Sequence, residues 1–105
     1  MPRATSDSAP DGLLPGEDLV QRGLVDLSED RLTECSLLVL IAAPRLRRLG
    51  IAVPERHLPQ PYEHELYERL EQRLGTGAHS YYNSLIRCIV SYARALERER
   101  SQGPN

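Results

Sequence analysis

Residues 63–71 are rich in groups that can ligate a metal: His64, Glu65, Glu68 and Glu71. On a helix, His64, Glu68 and Glu71 share a face, so a metal site is geometrically allowed. The H-E-x-x-H zinc pattern, however, needs a second histidine where this chain has Glu68. Acidic helix faces are common, and a solvated acidic face is the better reading. Cys35 and Cys88 both fall in apolar helical stretches, as structural thiols do. A nucleophilic thiol would need an accessible sulfur and a histidine brought beside it by the fold. His57 and His79 lie in connectors with no ligand partner nearby in sequence. Gly75-Thr76-Gly77 reads as a turn between helices, since no Gly-Lys follows it. These residues predict no catalytic centre, no metal and no cofactor, so the chain is expected not to be an enzyme.

The arginines carry more information. All 13 basic residues are Arg, and the net charge is −2. A near-neutral chain does not coat nucleic acid through bulk charge. The distribution alternates: residues 1–34 sum to −5, 35–60 to +3, 61–77 to −2 and 78–105 to +2. Arg45, Arg47 and Arg48 cluster at one site, and Arg87, Arg94 and Arg98 line one side of the last helix. Guanidinium forks of this kind hold phosphates or carboxylates. Three uses are open: a solvated face, ion pairs within the fold or across an interface, and phosphate contact. Tyr is the sole aromatic residue type, and Tyr with Arg is a common interface pairing. Tyr at the edge of a small core is the plainer alternative.

Helices must position these groups. A first helix is expected over about residues 16–26, with Glu17 and Asp18 at its positive end. Ser28 reads as the N-cap of a second, with Leu27 and Leu32 placed for a hydrophobic staple. This second helix is apolar on every side from Leu37 to Ala43, the signature of a helix surrounded by protein. Pro44 kinks it or begins a short new helix, PRLRRL, which Gly50 closes. A Pro-rich connector follows over 51–60. The third helix runs from near Pro61 to just before Gly75. Tyr62, Leu66, Tyr67, Leu70 and Leu74 form its apolar stripe, and Glu65, Glu68 and Glu71 its back.

The fourth strong helix runs from about His79 or Ser80 to Arg98. Its apolar and aromatic residues cover roughly 220° of a helical wheel. That arc is wider than one neighbouring helix needs, so the helix is either central or partly covered by another chain. Together these features predict an all-α protein, a compact bundle of four to five helices. One domain spans 17–100, with disordered segments at 1–16 and 101–105. Tyr82, Ile86, Ile89, Val90 and Ala93 are the expected partner contact, with a homo-oligomer or a protein partner as occupant. Nucleic acid held by Arg45, Arg47, Arg48, Arg87, Arg94 and Arg98 is the alternative. The first residues lack the apolar core of a secretory signal. The longest apolar run is far short of the about 20 residues that cross a bilayer. A cytoplasmic chain without membrane contact is expected.

Overall fold

The computed structural model describes residues 14–101. These form five α-helices: α1 (Glu17–Ser28), α2 (Glu34–Ile41), α3 (Ala43–Arg48), α4 (Tyr62–Leu74) and α5 (Ala78–Ser101). A 3-10 turn, Gly75–Gly77, joins α4 to α5, and no strand occurs among the described residues. The architecture is the all-α bundle expected from hydrophobic spacing. Most of the two segments expected to be disordered, 1–16 and 101–105, lies outside the described residues. Leu14, within them, is half-buried and packs on the core. Among the described residues, no helix is long and apolar enough to cross a membrane.

The chain between α1 and α2 departs from the sequence reading. Ser28 does not cap α2; it is the last residue of α1. Asp30 adopts φ 65°, and Arg31 N and Asp30 N donate back to the carbonyls of Asp26 and Leu27. This is the 6→1 and 5→2 closure of a helix C-terminus, here with Asp in the left-handed position that Gly usually fills. The true N-cap of α2 is Thr33. Ser36 N donates to Thr33 Oγ1 at 3.1 Å, and Thr33 N donates to Ser36 Oγ at 2.5 Å. Ser28 had the right residue type, but the Asp30 turn stops α1 first and moves the start of α2 to Glu34.

Buried side chains along α2 form the centre of the core: Ser36, Leu37, Leu38, Val39 and Leu40. α1 packs on one side of it, placing Val20 and Leu27 in the core, and α4 packs on another through Leu66 and Leu70. The expectation that α2 is enclosed on every side fails at its end, where Ile41 and Ala42 are half-exposed. Pro44 sits in the first turn of α3, where its missing N–H is not needed. Gly50, at φ 93°, closes α3: Ile51 N donates to Leu46 O and Gly50 N to Arg47 O. The sequence reading placed this break and this closure correctly.

Arginine forks tie the connections down. Arg73 grips Glu34 with Nε and Nη2, at 2.8 and 2.9 Å. Arg69 Nη1 donates to Leu32 O at 2.9 Å. Arg47 donates from Nε and Nη2 to Val53 O, at 3.1 and 2.8 Å, and so pins the connector that follows α3.

Candidate partner-binding groove

The wide apolar arc of α5 is covered in three ways. Its centre, Leu85, Ile89, Tyr92 and Leu96, is buried in the core. One flank meets the chain entering α1. The Gly16 backbone lies so close that a Cβ there would stand 2.9 Å from Cys88 O and 3.4 Å from Tyr92 Cβ. The other flank, Ile86 and Val90, is half-exposed. It forms an apolar groove of about 220 Å³ with Ile41, Ala42, Ile89 and Ala93.

The groove follows from the chain path. Side chains link the α3 region to α5: Arg45 Nη2 meets Glu97 Oε1 at 2.9 Å, and Gly50, just after α3, lies near the Arg100 guanidinium. The Pro44 break ends α2 at Ile41, and α3 is only six residues long. The break leaves Ile41 and Ala42 half-exposed, and the short α3 that follows leaves Ile86 and Val90 half-exposed. Arg45 lines the groove, and its pair with Glu97 closes that end.

Four of the five expected contact residues, Ile86, Ile89, Val90 and Ala93, line this groove. The fifth, Tyr82, packs edge-on against Tyr67 instead, ring centroids 5.4 Å apart. Ile41 and Ala42 belong to the groove but were not singled out in the sequence. Their signal was the apolar run 37–43, which does not reveal the side left uncovered.

The six arginines divide. Arg47 is consumed by the connector and Arg45 by Glu97. Arg48, Arg87, Arg94 and Arg98 are exposed and make no ion pair among the described residues. On α5, Arg87 follows Ile86 and Arg94 lies one turn beyond Val90, so the stripe edges the groove. Arg48 lies one turn beyond Arg45 on α3.

The other candidate groups are engaged elsewhere. His64 Nε2 lies 3.3 Å from Glu68 Oε2. Gln60 Nε2 bridges Glu65 and Glu68, donating to them at 2.6 and 3.2 Å; its bond to Glu65, with that from Arg69 Nε at 3.2 Å, holds the Glu65 carboxyl below the usual range. Among the described residues no three His, Cys, Asp or Glu side chains converge. His79 lies edge-on to Tyr67 and contacts Asn83 Nδ2. The two thiols are separate and half-buried rather than fully buried.

Cys35 lies on a wider, open cleft of about 650 Å³ with Arg22, Asp26, Arg69 and Arg73. Burial pushes this thiol up, which opposes thiolate formation. The charges on that cleft largely satisfy one another. Asp26 accepts from Thr33 Oγ1 at 2.6 Å and Arg31 Nη2 at 2.7 Å, while Arg73 holds Glu34. The Asp26 and Glu34 carboxylates on this cleft are thus already engaged. Comparison with protein-family models, curated proteins and solved structures finds no match for this chain.

Proposed function

We propose that this protein is a non-catalytic helical interaction module that docks a protein partner in the groove between the α2–α3 junction and α5. The observation that carries this reading is the half-exposed pair Ile86 and Val90 facing Ile41 over a buried floor. The groove is smaller than the ~300–1,000 Å³ of pockets that enclose small molecules. Its apolar floor and charged rim follow the layout of protein interfaces, where a few well-packed side chains supply most of the energy.

The test is a comparison of baits in the native host. Wild type, Val90→Asp and Gln72→Asp are each tagged and recovered with whatever they bind. Gln72 is exposed on α4, outside the groove. The reading expects protein partners held by wild type and Gln72→Asp but released by Val90→Asp. Identical recovery on all three baits would overturn it.

A second reading has its own observation: Arg87, Arg94 and Arg98 of α5 make no ion pair among the described residues. If they grip phosphates, affinity for duplex DNA or RNA should fall steeply with salt. Arg87→Glu with Arg94→Glu should then abolish binding while the fold stays intact.

A further inference from the structure

We infer that the occupant of the groove is an acidic amphipathic α-helix of another protein, not a second copy of this chain. The inference rests on the docking reading above and names the chemistry of the partner.

The backbone of the groove selects a helix. One wall is α5 and the other is the α2–α3 junction, where Ala42 N donates to Leu38 O and Leu46 N to Ala42 O, so the Ala42 backbone groups are already bonded. An extended peptide would find no strand edge on which to continue a ladder. A helix brings its own backbone bonds and presents apolar side chains at i, i+3, i+4 and i+7. The groove is long enough for two such turns: Ile86, Val90 and Ala93 already span eight residues of α5. About 220 Å³ accommodates one or two aliphatic side chains.

The rim selects the charge. Arg87, Arg94 and Arg98 run along the α5 side, and Arg48 extends the α3 side. Glu97, the acid nearest this end, is held by Arg45. Glu63 lines an adjoining cleft with Ile41 and is outside the groove. A docked helix would thus set its carboxylates among unpaired guanidiniums at the α5 C-terminal half. Such pairing fixes orientation and partner choice more than it adds affinity.

The same rim opposes a second copy. A two-fold axis through an α5–α5 contact leaves two arrangements. Antiparallel packing centred on Val90 puts Arg94 beside the partner copy's Ile86 and Arg87. Parallel packing puts each arginine opposite itself. Either way like charges meet as the groove closes. α4 is acidic, but its Leu66 and Leu70 are fully buried and its Tyr62, Tyr67 and Leu74 are half-buried against this chain's own core and aromatic neighbours, so it offers a second copy no free aliphatic stripe. Nucleic acid matches the charge and not the floor. It has no aliphatic side chain for the groove, and no aromatic residue lines the groove to stack a base.

The experiment is a displayed library of helical peptides of about 18 residues. Leu or Ile is fixed on one face, and Glu, Gln or Lys is random at the flanking positions. The full chain is the bait. The expected pool is enriched in Glu over Lys at the flanks. Its members should bind Val90→Asp, and separately Arg87→Glu with Arg94→Glu, about tenfold or more weaker than wild type, with unchanged circular dichroism. A neutral or Lys-rich pool that still needs Val90 would overturn the acidic-partner inference and leave the docking reading standing. A pool indifferent to Val90→Asp would overturn both. Displacement of the selected peptides by a short DNA duplex, with DNA binding lost in the double Arg variant, would overturn the inference in favour of phosphate contact.

Discussion

Asp26 is a costly residue to place where it is. It lies in the last turn of α1, where the helix dipole disfavours negative charge, and it is buried. The hydrogen bond from Thr33 and then that from Arg31 hold its carboxyl below the usual range in spite of burial. A carboxyl lowered on folding stabilises the fold above its ordinary pKa of about 3.9. That contribution is lost as pH falls through the folded value. Asp26→Asn should therefore lower stability at neutral pH and flatten the acid limb of a stability-against-pH curve, read by urea unfolding from about pH 7 down to about pH 2. An unchanged acid limb would show that Asp26 is not the linkage site. Residue type alone cannot show such engagement. Arg47 and Arg94 look equivalent in the sequence, yet one is spent on Val53 O and the other is unpaired among the described residues.

Legibility in the sequence varied between elements. α4 and α5 were readable because one face of each is apolar at helical spacing. The break at Pro44 and the stop at Gly50 were readable because the two residues act through backbone chemistry. The α1–α2 corner was not. Ser28, Glu29 and Asp30 resemble a helix start, but Asp30 in the left-handed region makes them a helix end. The same corner depends on a close approach of backbones. A Cβ on Gly23 would stand 2.5 Å from Cys35 O and 2.6 Å from Val39 Cγ2. Gly23→Ala should thus push α1 off α2 and destabilise the protein by about 1–3 kcal/mol, although alanine favours helices. Chemical denaturation measures this. A stabilised Gly23→Ala would mean that the two helices slide apart freely.

In the whole molecule, the proposed function rests on an incomplete covering of α5. The sequence showed the surplus apolar arc but could not divide it among neighbours. α2 and α4 take its centre, the chain before α1 takes one flank, and the short α3 leaves the other flank open with arginines beside it. The central claim is that this flank is kept for a different, acidic chain. Light scattering of the isolated protein over a range of concentrations, for wild type and Val90→Asp together, tests it most directly. The account predicts one species near 11.8 kDa for both. A wild-type dimer that strengthens with concentration and that Val90→Asp dissociates would contradict it, and would give the groove to a second copy of the chain.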